Sequence, residues 1–297
     1  MARNNMTMGD GARLPYAAWL PEGSPKAILL GLHGFGDYSV NAFELPAPLF
    51  TAAGIALYAY DQRGFGAAPN SGLWPGTATL AADATAMARL LAARHPGVPV
   101  YLMGESMGAA VALAAAGSAD PPPVAGYLLL APGVRGRAYL SEFGKASLEA
   151  ASRIMPAVGF SGSAPGFAPT DNEEAMRRWS RDPLTAKLFR VDLVYGVVGL
   201  MDAALAAATA FSADALILYG GHDFIVRPRP VRGLLEAMPE GAPHRLAFYP
   251  NGHHLLLRDL DRATVARDIV AWIAAHEAPL PSGADAAACH WLRQPAE

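Results

Sequence analysis

Length, composition and charge restrict the class of protein before any motif is considered. The chain has 297 residues, of which 52% are hydrophobic, and this is enough for one large α/β domain or two small ones. We favour one domain with an insertion. A net charge of −3 and a charged-residue content of only 16% provide no basic field, which argues against nucleic-acid binding. The single cysteine, Cys289, cannot form an intrachain disulfide.

The sequence contains no obvious targeting or membrane-spanning segment. The N-terminus carries Arg3 but lacks the apolar core of a signal peptide. Charges such as Asp202 interrupt the longest apolar stretches before the roughly 18 residues that a spanning helix needs. We therefore expect a cytoplasmic protein, with transient contact of a membrane surface and the oligomeric state left open.

Short apolar runs alternate with helical patterns along the chain. Strands are predicted at residues 13–21, 26–32, 55–60, 100–103, 126–131, 215–219 and 245–249, and helices at residues 43–53, 77–94, 109–116 and 261–276. This alternation is typical of a mostly parallel sheet with helices on both faces. In such a sheet, ligands bind at the C-terminal ends of the strands.

More than eighty residues separate the strands at 126–131 and 215–219, far more than a crossover connection needs. We predict that residues 133–211 form an inserted helical cap on a core made of residues 1–132 and 212–276. The cap sequence includes a glycine- and proline-rich loop at residues 159–169. The proline- and alanine-rich residues 277–297 are predicted to be a loose tail.

One apolar stripe in the predicted cap has two interpretations. Its residues recur at helical spacing: Val191, Val194, Val198, Met201 and Leu205. The stripe either packs against the main domain or walls an apolar substrate pocket, and the two roles are compatible. On the second interpretation, Val194, Val198 and Met201 are the predicted substrate-binding residues.

The segment Gly104-Glu105-Ser106-Met107-Gly108 carries the main functional signal. It lies between an apolar strand and a run of helix-forming residues, which is the setting of a nucleophile elbow. Glycine is needed on both sides because a strand that turns directly into a helix leaves no room for side chains there. Ser106 is therefore the predicted nucleophile, and backbone N–H groups of the new helix are available to an oxyanion.

A serine nucleophile needs a histidine base, and the base needs an acid that fixes its tautomer. Asp223 follows a predicted strand, and His254 follows another in the chain order Ser, Asp, His. His33 has the wrong order and is predicted to have a structural role in its loop. The predicted catalytic residues are Ser106, Asp223 and His254.

These motifs resemble those of α/β-hydrolases of the monoacylglycerol lipase and lysophospholipase group, over about residues 10–276. The oxyanion loop of that group matches His33 to Gly36, which implies that the N–H groups of Phe35 and Met107 form the oxyanion hole. The catalytic histidine of the group precedes an apolar pair, which implies His254 rather than His253. The loop from Asp61 to Gly66 also matches, although Gln62, Phe65 and Ala67 depart from its usual residues.

The resemblance implies the α/β-hydrolase fold and a serine carboxylic ester hydrolase that works through an acyl-enzyme. Monoacyl esters of glycerol or a related lipid are the expected substrates, and no metal or cofactor is implied. Asp61 and Arg63 are interpreted as braces of their loop, and Glu105 as a wall residue. A thioesterase, a peptidase or an acyltransferase on the same scaffold is the alternative, because the acyl-enzyme is common to all of them. A non-catalytic binding protein is a further alternative, against which the complete Ser-Asp-His set argues.

Overall fold

An eight-stranded sheet lies at the centre of the structure, a computed structural model that describes residues 2–161 and 168–295. The strands of the described residues are β1 Ala2–Thr7, β2 Arg13–Trp19, β3 Ala27–Leu32, β4 Ile55–Tyr60, β5 Val100–Glu105, β6 Gly126–Leu130, β7 Gly159–Ser161, β8 Leu188–Arg190, β9 Ala215–Gly220 and β10 His244–Tyr249. The order across the main sheet is β1-β2-β4-β3-β5-β6-β9-β10. From β4 to β10 all neighbours are parallel, whereas β1 and β2 are antiparallel additions at one edge.

Helices cover both faces of this sheet. Those of the described residues are α1 Ser39–Phe43, α2 Ala47–Ala52, α3 Thr77–Arg94, α4 Met107–Ala116, α5 Glu142–Ile154, α6 Glu173–Arg181, α7 Val191–Ala208, α8 Pro228–Ala237, α9 Arg262–Ala274 and α10 Ala284–Arg293. One core cluster joins α3, α4, α7 and α8 to one face, and a second joins α1, α2 and α9 to the other. Alternate residues of each strand enter the two clusters because strand side chains point to opposite faces. The predicted sheet and its two helical layers are confirmed.

The predicted strands are observed within one or two residues of their expected ends, because they are apolar runs buried on both faces. The helix predicted at residues 43–53 is instead two short helices, α1 and α2, with Pro46 in the N-cap position of the second. Strand β1 was not predicted. Its sequence, ARNNMT, lacks an apolar pattern, and pairing with β2 stabilises it.

The chain between β6 and β9 contains the predicted cap. It comprises a 3-10 turn at Arg137–Tyr139, the helices α5, α6 and α7, and the two-stranded antiparallel pair of β7 and β8. Of the predicted loop at residues 159–169, residues 159–161 form β7, and residues 162–167 lie outside the described residues.

Helix α7 is long and apolar enough, by length and composition, to cross a membrane, and it is the one such helix in the described chain. We expected charges to interrupt every such stretch. Helix α7 includes Asp192 and Asp202, yet it is long and apolar enough by this criterion. Most of its buried residues belong to the core cluster that also contains α4. Such packing is typical of a core helix.

The C-terminal segment is not the loose tail that its composition predicts. Residues 284–293 form α10, which packs against the edge strand β10. The indole of Trp291 stacks on Phe248 at a centroid distance of 5.3 Å, and the guanidinium of Arg232 lies 4.3 Å from its ring centroid. Arg245 also pairs with Asp285 at 2.7 Å. The segment is ordered because burial of Trp291, its contact with Arg232 and the Arg245–Asp285 ion pair offset the conformational entropy that is lost on ordering.

Candidate active site

Ser106 occupies a sharp turn between β5 and α4. Its backbone has φ 55° and ψ −112°, a conformation that costs strain energy in a residue other than glycine. A Cβ on Gly104 would lie 2.4 Å from the backbone nitrogen of Ala109, and a Cβ on Gly108 would lie 2.1 Å from the carbonyl oxygen of Leu32. Both distances are too short for a carbon atom. Glycine on each side of Ser106 is therefore a steric requirement of this turn.

His254 and Asp223 form a buried hydrogen-bonded pair in the loops that follow β10 and β9. Nδ1 of His254 lies 2.8 Å from Oδ2 of Asp223. The other carboxylate oxygen accepts hydrogen bonds of 2.9 Å from the backbone N–H groups of Ile225 and Val226. Hydrogen bonds therefore fix both oxygens of the Asp223 carboxylate. This carboxylate favours the tautomer of His254 with its proton on Nδ1. Nε2 is then left as a proton acceptor.

The neighbouring histidine, His253, has different partners. Its backbone N–H donates to Oδ2 of Asp259 at 2.8 Å, and its Nδ1 lies 3.3 Å from the same oxygen. Its ring also packs edge-on against that of His222, at a centroid distance of 5.3 Å. The structure therefore pairs only one of the two adjacent histidines with Asp223.

Ser106 and His254 line the same cavity, whose volume is about 510 Å³. Its apolar wall includes side chains from the predicted cap and from the core loops: Phe35, Phe160, Met176, Trp179, Phe189, Val194, Ile225 and Leu255. The cavity therefore joins the candidate nucleophile and base to a large apolar surface.

Only part of the predicted stripe on α7 reaches this cavity. Val194 lines it, but Val198 and Met201 are not among the described residues that do, which corrects the prediction for these two. Met201 packs against the main core cluster. Val194 also packs against this cluster, so it combines a contact with the core and a place in the cavity wall. Equal spacing on one helix face does not imply an equal environment.

The predicted oxyanion loop lies directly beside the nucleophile. A Cβ on Gly34 would lie 3.6 Å from Cβ of Ser106. Phe35 stacks on Phe189 of the predicted cap at a centroid distance of 4.8 Å. Met107 is the first residue of α4, so its backbone N–H has no acceptor within the helix. These positions are compatible with Phe35 and Met107 as oxyanion donors.

His33 braces this loop, as predicted. Its Nδ1 lies 2.8 Å from the carbonyl oxygen of Gly34, and its Nε2 accepts a hydrogen bond of 3.0 Å from the backbone N–H of Gln62. The side-chain amide of Gln62 donates in return to the His33 carbonyl at 2.8 Å. Burial lowers the pKa of His33, and a neutral imidazole satisfies both contacts. Gln62, a departure from the family pattern, therefore has a defined structural role.

Asp61 and Arg63 also act as braces. Asp61 accepts hydrogen bonds from the backbone N–H groups of Ser39 and Ala67, at 3.0 and 2.9 Å. Arg63 pairs with Asp83 at 2.7 Å and with Asp10 at 2.6 Å. Neither Asp61 nor Arg63 is among the described residues that line the cavity of Ser106. Their interpretation as structural residues agrees with these contacts.

A buried ion cluster forms the polar part of the cavity wall. The guanidinium of Arg258 contacts Oε1 of Glu105 at 2.7 Å and also pairs with Asp37. All three side chains are buried. Burial raises the pKa of Glu105 and disfavours the charged form of Arg258, but Asp37 and Glu105 together raise the pKa of Arg258 above its ordinary value. The sequence analysis did not identify Arg258, which stands four residues after His254. The available signal was the position of two acidic residues, because Asp37 directly follows the predicted oxyanion loop and Glu105 precedes Ser106.

Fold and site together define an α/β-hydrolase. A family model described as serine aminopeptidase, S33 (Hydrolase_4) matches residues 23–261. The monoacylglycerol lipase of Mycolicibacterium smegmatis is 24% identical over 278 residues, which cover 90% of this chain and 94% of that protein. Human monoglyceride lipase is also 24% identical, with coverage of 91% and 89%.

Solved structures share the fold. A soluble variant of monoglyceride lipase from Saccharomyces cerevisiae, in complex with a substrate analog, superposes with a TM-score of 0.78 at 19% identity, covering 93% of this chain and 94% of that one. The family match extends over most of the chain, including β3 to β10 and the residues between them. The chain belongs to this serine aminopeptidase S33 family of α/β-hydrolases and resembles its monoglyceride lipases.

Proposed function

We propose that this protein hydrolyses carboxylic esters through an acyl-enzyme formed on Ser106. The observation that carries the proposal is the buried pair of His254 and Asp223, whose histidine lines the same cavity as a serine on a strained turn. A hydroxyl is a poor nucleophile at neutral pH, and such a histidine activates it by accepting its proton.

In the proposed mechanism, Oγ of Ser106 attacks the ester carbonyl while Nε2 of His254 accepts the hydroxyl proton. Asp223 holds the imidazole and stabilises the positive charge that forms on it. The N–H groups of Phe35 and Met107 stabilise the oxyanion of the tetrahedral intermediate. His254 then gives its proton to the leaving alcohol. Water repeats the sequence on the acyl-enzyme and releases the acid.

The shape and chemistry of the cavity favour an amphiphilic ester. Its wall is mostly apolar, and the ion cluster of Asp37, Glu105 and Arg258 supplies one polar region close to Ser106. An acyl chain suits the apolar wall, and hydroxyl groups of an alcohol suit the polar region. The relatives named monoacylglycerol lipase support the same class. We therefore infer that monoacyl esters of glycerol or related lipids, including lysophospholipids, are the substrates.

A peptidase is the alternative that one observation specifically favours, because the family description names an aminopeptidase. An aminopeptidase needs a free negative charge for the substrate amine, whereas both carboxylates of the cavity wall pair with Arg258. Matched ester, thioester and amide substrates with the same acyl group separate the alternatives. We expect the highest kcat/KM with the ester, and a preference for the amide would overturn the proposal.

Failure of a fluorophosphonate probe to label the folded protein would favour a binding protein instead.

We predict that medium and long monoacyl esters exceed acetyl esters in kcat/KM. Each methylene that leaves water contributes about 0.8 kcal/mol at most. Val194→Asp should reduce this preference because Val194 lines the cavity. Val198→Asp is the matched control one helical turn away, and it should leave the chain-length profile unchanged. The measurement is kcat/KM for nitrophenyl esters and acyl glycerols of increasing length.

Two results of that series would contradict the proposal. A parent enzyme that prefers acetyl esters would exclude a lipid substrate. Equal profiles of the two folded variants would show that Val194 does not face the acyl chain.

We further propose that residues 133–211 act as a cap that contacts lipid surfaces. Exposed apolar side chains lie on α5, β7, β8 and the turn between α5 and β7: Phe143, Ile154, Met155, Val158, Phe160 and Leu188. Phe160 also lines the cavity, so this apolar surface is continuous with the site. An exposed apolar surface of this kind is typical of interaction with a membrane or a partner.

Cosedimentation with phosphatidylcholine vesicles tests this contact. We expect the double variant Ile154→Ser, Leu188→Ser to bind fewer vesicles than the parent. Leu20→Ser is the control, since Leu20 is 55% exposed outside the predicted cap and Leu188 is 66% exposed on it. Equal binding by both variants would exclude the cap as the contact surface.

A further inference from the structure

A cluster of three side chains that could bind a metal lies where the loop with the proposed catalytic histidine meets the predicted cap. Asp171, His253 and Asp259 each offer one ligand atom, and the three atoms lie within 4.8 Å of one another. Asp171 precedes α6 in the predicted cap, whereas His253 and Asp259 flank the segment that begins with His254. The cluster therefore joins two distant parts of the chain.

Backbone contacts fix both carboxylates. Oδ1 of Asp171 accepts a hydrogen bond of 2.8 Å from the N–H of Leu260, and Oδ2 of Asp259 accepts one of 2.8 Å from the N–H of His253. The two segments are also joined directly, because the Leu255 N–H donates to the carbonyl oxygen of Pro169 at 2.8 Å. The ligand atoms are thus held together before any ion binds, which lowers the entropic cost of binding.

Asp259 itself indicates a missing partner. Its side chain is buried, with the residue only 4% exposed; the Thr170 hydroxyl lies beside the carboxylate, but Oδ1 accepts no hydrogen bond among the described residues. A buried carboxylate oxygen without a donor is unfavourable unless a cation compensates it. Asp171 and Asp259 also line a cavity of about 410 Å³, together with Asp261.

We propose that Asp171, His253 and Asp259 bind a divalent transition-metal ion of the Zn²⁺ type. One imidazole nitrogen with two carboxylate oxygens suits Zn²⁺, whereas Ca²⁺ prefers oxygen ligands throughout. Three protein ligands leave the remaining coordination positions to water. The bound ion crosslinks the predicted cap to the His254 loop and stabilises the contact between these two segments. This site is separate from the ester chemistry proposed for Ser106.

The test is a titration of the chelator-treated full chain with ZnCl₂, followed by calorimetry and by the thermal midpoint. We use Cys289→Ser as the background because Cys289 is an exposed thiol outside the cluster. We expect one saturable site and a thermal midpoint that rises with Zn²⁺, since an ion that binds only the folded chain stabilises it. CaCl₂ should have a much smaller effect. Absence of saturable Zn²⁺ binding, or an equal response to CaCl₂, would overturn the proposal.

Charge-removing variants locate the site. Asp259→Asn and the exposed Asp171→Asn should each weaken Zn²⁺ binding about tenfold or more, since loss of even an outer-shell partner has that effect. Asp261→Asn is the matched control, because Asp261 lines the same cavity but lies outside the cluster. His222→Ala is the second control, since the ring of His222 contacts that of His253. If His222→Ala abolished binding while both Asp→Asn variants retained it, the ion would be held by the histidine pair and the proposed site would be wrong.

Discussion

Replacement of Ser106 by alanine is expected to lower ester hydrolysis by roughly 10³-fold or more while the protein stays folded. The substitution removes the nucleophile and with it the covalent route. It keeps the Cβ at the tip of the turn, so the packing of Gly104 and Gly108 around that turn does not change. The measurements are kcat/KM on a medium-chain monoacyl ester and the thermal midpoint of unfolding.

Ser180→Ala is the matched control for this variant. Ser180 lines the same cavity, but its hydroxyl donates to the carbonyl oxygen of Arg177 at 2.9 Å within α6. It should retain most of the activity. Near-normal turnover by a folded Ser106→Ala variant would exclude the proposed mechanism, and a comparable loss in both variants would show that the assay reports the shape of the cavity and not the chemistry.

The second large effect is expected from the two adjacent histidines. His254→Ala should lose activity to the same extent as Ser106→Ala, because it removes the only imidazole that contacts Asp223 among the described residues. His253→Ala should retain most of the activity, since His253 contacts Asp259 and His222 instead. Rates on one ester, compared between folded variants, test the difference.

A large loss in His253→Ala with little loss in His254→Ala would move the base by one position. Zn²⁺ binding gives an independent measurement on the same pair. His253→Ala should lose the proposed metal site and keep activity, whereas His254→Ala should lose activity and keep the metal site. A single variant that lost both would mean that the loop itself had been distorted.

Local patterns were sufficient to predict the elements that place the candidate site. Strands β3, β4, β5 and β9 are apolar over their whole length, because a parallel sheet covered on both faces buries every side chain. The elbow could be recognised because both of its glycines are required by close contacts. Gly104 meets the backbone of the same turn, and Gly108 meets the adjacent strand β3. These features depend on neighbours in the chain or on a repeated sheet geometry, and both leave a trace in the sequence.

Features that depend on contacts between distant segments could not be predicted in this way. Trp291 appears in a segment with the composition of a loose tail, and contacts with distant residues, such as its stacking on Phe248, make that segment ordered. Arg258 is one of many arginines until the fold brings it between Asp37 and Glu105. No pattern in a single sequence encodes such pairings, because they depend on where loops from separate strands converge.

The sequence by itself determined the fold class. It also predicted which loops follow the parallel strands and which residues are the candidate nucleophile, acid and base. Only the tertiary structure decided which of the stripe residues on α7 meets the cavity. Val194, Val198 and Met201 share one face of the helix, yet only Val194 of these three lines the cavity, whereas Val194 and Met201 both pack against the core. The physical reason is that helical spacing specifies a face, whereas the environment along that face depends on how the helix axis is packed against the rest of the protein.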